Sequence, residues 1–240
     1  MKFNKQYYPS CELNFLRRIG RRFFSPKVPA LFKVVRNLPA QSKVLDVGAG
    51  TGGLLQLMEQ TNTSFKTYGL DIGTPPEFAS NGMFLRGNIV NLPFQENSFD
   101  LVVCSHVIEH LSDPFQAVAE LKRVCMPEGY VYLETPSHRS IIMPIGFNFW
   151  DDPTHVRPYT RISLRKLLEI HSIRVIRDGL KHSLMGIILG FPYLFIGRLL
   201  GDPMARVIFP LYAFGLTVYA LGQKPEGAAI KREIHESECL

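Results

Sequence analysis

Val44-Leu45-Asp46-Val47-Gly48-Ala49-Gly50-Thr51-Gly52-Gly53 decides the fold. A short apolar run, 44–47, passes into a glycine-rich turn, and helical spacing resumes over 52–60. Glycine has no Cβ, so the backbone can turn sharply and approach a ligand closely. A helix that starts there points its free N–H groups at the same ligand. Gly48, Gly50 and Gly53 satisfy G-x-G-x-x-G. Asp71, at the end of the next apolar run, offers a carboxylate that accepts both hydroxyls of an adenosine ribose. Taken alone, the pattern also fits an NAD(P)-dependent oxidoreductase.

The same alternation extends outward. The runs 67–70, 101–104 and 130–134 read as buried strands, and 114–124 has helical spacing. Strand and helix in repetition predict an α/β domain with a doubly wound, mostly parallel sheet. An irregular stretch over 136–160 precedes a helix at 161–170, carrying Leu164, Leu167 and Leu168, and a strand at 173–176. Residues 183–222 hold only Arg198, Asp202 and Arg206 as charges.

Upstream, Phe15, Ile19 and Phe23 recur at helical spacing among Arg17, Arg18, Arg21 and Arg22; a second short helix is expected over 28–35. The organisation that results is a basic helical arm at 1–40, a domain at 41–225 and a polar tail at 226–240.

The 240 residues are 46% apolar and 20% charged, which excludes a disordered tail, a collagen-like fibre and a coiled coil. The length suffices for a sizeable core. Four cysteines (Cys11, Cys104, Cys125, Cys239) are far apart and form no C-x-x-C, so a reducing, cytoplasmic setting is expected. The opening residues do not read as a signal peptide. The net charge of +6 belongs to the arm, because ten of the 27 Lys and Arg lie within 1–43 beside a single acid, Glu12. The body is slightly acidic, and no nucleic-acid partner is expected.

Further motifs choose among the nucleotide-cofactor enzymes. Asp46 two residues before the first glycine gives D-x-G-x-G. Gly87-Asn88-Ile89, Leu92-Pro93-Phe94, Phe99-Asp100-Leu101-Val102-Val103, Glu109-His110-Leu111 and Leu121-Lys122-Arg123-Val124 follow, then Pro127-Glu128-Gly129. In this order they resemble the class I S-adenosylmethionine-dependent methyltransferases, most closely the quinone-biosynthesis and polysaccharide-cluster types, over about 40–180. The resemblance implies a seven-stranded Rossmann-like sheet of order 3-2-1-4-5-7-6 with the seventh strand antiparallel. It also implies S-adenosylmethionine as cofactor. Gly48, Ala49 and Gly50 would pass under its methionine part, and Asp46 would engage its amino group. Asp71 would hold the ribose hydroxyls, and Ile72 would pack on the adenine. Asn88, where many members have Asp, and Ile89 would flank the base, and Ser105 and His106 would line the methyl-donor end. A non-catalytic, membrane-associated adaptor with the same fold is the remaining alternative; the intact Asp46, Gly48, Gly50 and Asp71 speak against it.

His106-Val107-Ile108-Glu109-His110 spells the H-x-x-E-H of some zinc peptidases. It abuts a buried strand rather than lying on a helix, so no metal is expected and Glu109 and His110 are assigned to local backbone hydrogen bonds. The stretch 150–160, which includes Asp151, Asp152, His155, Arg157 and Tyr159, is richer in polar and aromatic groups than packing requires. It follows the fifth strand, and ligands of open α/β sheets bind outside the strands' carboxyl ends. His155 is the candidate base for an acceptor hydroxyl, with Asp151 or Asp152 orienting it. Arg157 suits an anionic group on the acceptor or an ion pair. The expected reaction is O-methylation of a small-molecule, saccharide or lipid-linked acceptor. Because 215–225 resembles the family's last strand, about 184–213 is an insertion: a lid, a homodimer contact or a segment lying shallowly in a membrane surface. With the basic arm, it suggests peripheral attachment to the cytoplasmic membrane face.

Overall fold

The computed structural model describes residues 29–73, 81–143, 148–182, 184–199, 201 and 215–226. The predicted helix at 14–24 and the polar tail beyond 226 lie outside them. Seven strands form one sheet: β1 (Lys43–Val47), β2 (Lys66–Asp71), β3 (Met83–Arg86), β4 (Phe99–Ser105), β5 (Cys125–Pro136), β6 (Arg174–Leu180) and β7 (Thr217–Gln223). Their order is β3-β2-β1-β4-β5-β7-β6. β1, β2, β3, β4 and β5 pair in parallel, and β7 runs antiparallel to both β5 and β6. The helices are α1 (Pro29–Asn37), α2 (Gly53–Thr61), α3 (Pro114–Val124), α4 (Arg161–Ile170) and α5 (Leu184–Leu199).

Alternation along the strands builds the two faces, because successive strand side chains point to opposite sides. On β4, Leu101 and Val103 join Val44, Leu55, Met58, Ala30 and Val35 in a core under α1 and α2. Val102 and Cys104 join Leu45, Val47, Val118, Leu121, Leu164 and Leu168 under α3 and α4. Each such fully buried aliphatic side chain contributes about 1.5–3 kcal/mol.

Local signals set the helix ends. Asp113 caps α3, its Oδ1 accepting from the backbone N–H of Phe115 and Gln116, with Pro114 in the first turn. Thr160 and Ser163 form a reciprocal cap on α4. The helices at 114–124 and 161–170 are thus where the sequence puts them. β3 carries no strand signal of its own, since its short MFLR run alternates weakly. It forms because β2 offers a parallel edge, pairing Tyr68 with Met83 through Asp71 with Arg86.

Within the insertion, α5 is the described element. Its Ile188, Phe191, Phe195, Ile196 and Leu199 are exposed. No helix among the described residues is long and apolar enough to cross a membrane.

Candidate active site

β1 delivers the chain into the turn. The backbone N–H groups of Gly48 and Ala49 both donate to the Leu70 carbonyl, at 2.7 and 3.1 Å, which fastens the turn to the end of β2. Gly48 has φ 80°, and a Cβ built on it would lie 2.0 Å from Val107 Cγ2. Only glycine fits there, on grounds of both backbone and space. The turn after β4 therefore packs directly on the glycine turn. Gly50 and Gly52 also have positive φ, and Gly52 opens α2 without a side-chain cap.

Two carboxylates flank this turn. Asp46 is 3% exposed on β1. No hydrogen bond reaches its side chain among the described residues. Burial, with repulsion from Asp71, pushes its carboxyl up to about 7. Asp71 accepts from the backbone N–H of Gly50 at 2.9 Å and of Gly73 at 2.8 Å. It thereby pins the first glycine turn to the loop after β2. Each oxygen keeps a second lone pair for a ligand hydroxyl. Ile72 is exposed beside it. Ile89 is buried, and the Asn88 side-chain oxygen accepts from Val90 N–H at 3.2 Å, closing its own turn.

At the carboxyl end of β4, Ser105 is half-buried and His106 adopts φ 55°, a left-handed conformation uncommon outside glycine. Its backbone N–H donates to the Glu134 carbonyl at 2.8 Å. Its half-exposed ring lies between two buried carboxylates, with Nδ1 3.4 Å from Glu109 Oε1 and Nε2 3.4 Å from Glu134 Oε1. Burial alone lowers the basicity of the ring. The bonds to Glu109 and Glu134 outweigh it and raise its pKa to about 9. Glu134 also accepts from Lys181 Nζ at 2.7 Å and from the Tyr132 hydroxyl at 2.5 Å. Burial works against its ionisation, yet His106 and Lys181 hold it down at about 2. Glu109 Oε2 accepts from Thr135 Oγ1 at 2.9 Å. Beyond its own backbone N–H and His106, Glu109 thus reaches Thr135 on β5, and His110 Nδ1 lies 2.8 Å from Thr154 Oγ1. His106 and His110 serve different partners, because the segment is a strand end followed by a short 3-10 turn at Ile108–His110.

The loop over 148–160 is pinned to that same turn. Val156 N–H donates to the Glu109 carbonyl at 2.8 Å, and His138 N–H donates to the Tyr159 carbonyl at 2.9 Å. Asn148 and Asp151 form a capping box around Phe149–Asp151, which gives Asp151 a role in holding the loop. His155 stacks on Phe149 with ring centroids 4.3 Å apart. Its Nδ1 lies 2.6 Å from the Phe149 carbonyl, so that nitrogen is the donor, and in the neutral ring Nε2 carries the lone pair. Asp152 Oδ2 is 3.8 Å from Nε2. The carbonyl of Phe149, not a carboxylate, therefore orients the ring. Arg157 is exposed and makes no ion pair among the described residues. A cleft of about 580 Å³ lined by Gln56, Glu59, Lys66, Thr67 and Met83 opens at the amino end of β2, away from these groups.

A sequence profile described as a methyltransferase domain matches residues 16–172. The chain belongs to the class I S-adenosylmethionine-dependent methyltransferases. An uncharacterised protein of Methanocaldococcus jannaschii is 31% identical over 155 residues, covering 62% of this chain and 67% of that one. A demethylmenaquinone methyltransferase of Lactiplantibacillus plantarum is 31% identical over 123 residues, covering 45% and 52%. The chain thus spans about half the length of that second relative. Among solved structures, a Haloferax volcanii putative methyltransferase, in complex with the Trm112 methyltransferase activator, superimposes with a TM-score of 0.64. Identity there is 17%, over 88% of this chain and 93% of that one, so the likeness shows the fold. Family membership removes the ground for the oxidoreductase reading, which rested on the glycine fingerprint alone.

S-adenosylmethionine is the family's cofactor, and the residues fit it. A buried carboxylate without a partner, next to a second carboxylate, is the environment a cationic ligand relieves. The cofactor's methionine part carries an ammonium, and its sulfonium adds a second positive charge. The Gly48–Gly50 turn, free of side chains larger than methyl, leaves room for it.

Proposed function

We propose that this chain methylates a hydroxyl oxygen of a small-molecule, saccharide or lipid-linked acceptor seated against the 148–160 loop, with His155 as the base. The observation that carries this reading is the anchoring of His155: Nδ1 is committed to the Phe149 carbonyl, so Nε2 is the atom left to meet an acceptor. The bound cofactor supplies a methyl group already activated on a sulfonium. His155 Nε2 would take the proton that the acceptor hydroxyl gives up as it is methylated. Asp152 Oδ2 then faces the charge that develops on the ring. On the cofactor side, Asp46 holds the ammonium, Asp71 the ribose hydroxyls and Ile72 the adenine. Asn88 and Ile89 flank the base, and Ser105 and His106 border the reacting methyl. Holding both reactants in contact is worth about 7–11 kcal/mol in favourable cases.

His155→Ala tests the assignment. Turnover with labelled cofactor and acceptor-containing extracts should fall by about 10²–10⁴ while cofactor affinity holds. A product methyl group released by mild alkali would mark an ester, and normal turnover would reduce His155 to a structural residue.

A lipid-linked acceptor draws support from α5. Its 16 residues span about 24 Å, short of the ~30 Å hydrocarbon core, yet five large apolar side chains face outward. An exposed apolar surface of this kind suits burial against a second apolar surface, a lipid one included. β6 leads into α5, and Lys181 just before it is anchored on Glu134 beside His106. A lid over the acceptor and a homodimer contact are the competing uses of the same surface.

A further inference from the structure

The histidines of H-x-x-E-H part company in the fold, and one of them meets a partner 45 residues away. Glu109, His110 and His155 each bring one ligand-type atom to within 4.8 Å of the other two. The rings of His110 and His155 are 4.7 Å apart.

Hydrogen-bond logic fixes both tautomers. The Thr154 hydroxyl has one hydrogen, and it goes to Asp152 Oδ1 at 2.6 Å. The 2.8 Å contact between Thr154 Oγ1 and His110 Nδ1 must then have the ring nitrogen as donor. His155 Nδ1 likewise donates to the Phe149 carbonyl. In its neutral form each imidazole therefore keeps its Nε2 lone pair, and each is held from behind by an acceptor on Nδ1. That backing is what metal-bound histidines have, since it sets the tautomer and raises ligand basicity. Glu109 is buried, with Thr135 on one oxygen, His106 on the other and its own backbone N–H as a third donor, which leaves the carboxylate one further lone pair. One ligand-type atom of each group lies within 4.8 Å of the other two, a spacing that a single cation can bridge.

We propose that Glu109, His110 and His155 bind one divalent transition-metal ion of the zinc class. Two imidazole nitrogens and a carboxylate suit zinc and its neighbours better than magnesium or calcium, which favour all-oxygen shells. Bonds of about 2.0–2.2 Å place ligand atoms roughly 3–4 Å apart, so binding draws the three side chains together by about an ångström. The ion takes the His155 lone pair that the acceptor's proton would otherwise take. Metal and methyl transfer are then in competition, and the site acts as a brake. That consequence rests on the base reading; the binding does not.

The test uses the full chain, stripped with a chelator and titrated with zinc chloride by calorimetry. Metal retained after desalting is counted by mass spectrometry. One zinc per chain is expected. His110→Ala and His155→Ala should each weaken binding by more than about tenfold, and Thr154→Val, which removes only the partner behind His110, by about 10–100-fold. Circular dichroism confirms that each variant is folded. No zinc retained by the parent chain, or equal affinity in all three variants, overturns the proposal. In the activity arm, zinc should inhibit the parent enzyme and spare His110→Ala. Zinc bound without inhibition keeps the metal site and removes His155 as the base.

Discussion

Asp46→Asn separates the cost of the cofactor site from its use. The Asp46 carboxyl stands about three units above its ordinary 3.8. At about 1.4 kcal/mol per unit, keeping it ionised in the fold costs on the order of 4 kcal/mol. The sign follows from proton binding. Between pH 4 and 7 the folded chain holds a proton at Asp46 that the unfolded chain has lost, so this group's contribution to stability is full below 4 and gone above 7. Asparagine keeps the shape and removes the charge. Without cofactor, the variant should therefore be more stable than the parent at pH 8. At about 2–4 °C per kcal/mol for a chain of this size, the gain in Tm is about 8–16 °C as an upper bound. The gap should narrow as pH falls towards 5, where the parent is protonated as well. Binding should move the other way. Losing a charge-assisted bond to the ammonium costs about 1.5–3 kcal/mol, a 10- to 150-fold weaker Kd for S-adenosylhomocysteine. Thermal melts at pH 5 and 8, with calorimetry at pH 8, read both effects. A Tm gap that does not change with pH, or an unchanged Kd, would refute the assignment of Asp46 as a strained anion waiting for a cation.

Asp71→Ala should weaken S-adenosylmethionine binding by about 10–150-fold, because it removes the ribose acceptor and frees the Gly50 and Gly73 N–H groups it fastens; unchanged affinity in calorimetry would mean that the ribose lies elsewhere. His106 is a raised base, so its contribution to stability is full below its ordinary 6.5 and is lost as pH passes about 9. The stability difference between the parent and His106→Gln, read from denaturant melts, should shrink across that window, and a constant difference would show that the ring is not the proton it loses. Co-sedimentation with anionic vesicles at low salt should deplete the chain from the supernatant, with less depletion at high salt or on neutral lipid. Equal recovery under every condition would leave α5 as a lid or a dimer contact.

The parts of the fold that were legible are those with short-range causes. The strand at 44–47 is four apolar or buried positions closed by glycines, and β1 runs Lys43–Val47. The helices Pro114–Val124 and Arg161–Ile170 carry both their cap and their stripe within their own residues. The order of the strands and the antiparallel β7 came from resemblance, since no residue of β7 announces its neighbours. Two elements escaped. β3 is four residues long, and its partner β2 supplies the reason for it. α5 was read as an apolar insertion without a secondary structure, because Pro192 interrupts it and an all-round apolar sequence has no stripe to betray a helix.

The cofactor side of the site could be read from the chain because each of its groups sits at a strand end, at a position the fold repeats. The acceptor side could not. Asp152 seemed the natural partner for His155, three residues away, yet the ring takes its orientation from a backbone carbonyl that every residue possesses. Glu109 reads as a locally bonded residue, and only β5 adds Thr135 to its own backbone N–H as a partner. Thr154 carried no signal at all, although its hydroxyl decides which nitrogen of His110 is free, 44 positions earlier. Periodicity records a residue's neighbours along the chain, whereas these assignments depend on how many hydrogens a hydroxyl has and where the fold lets it spend them.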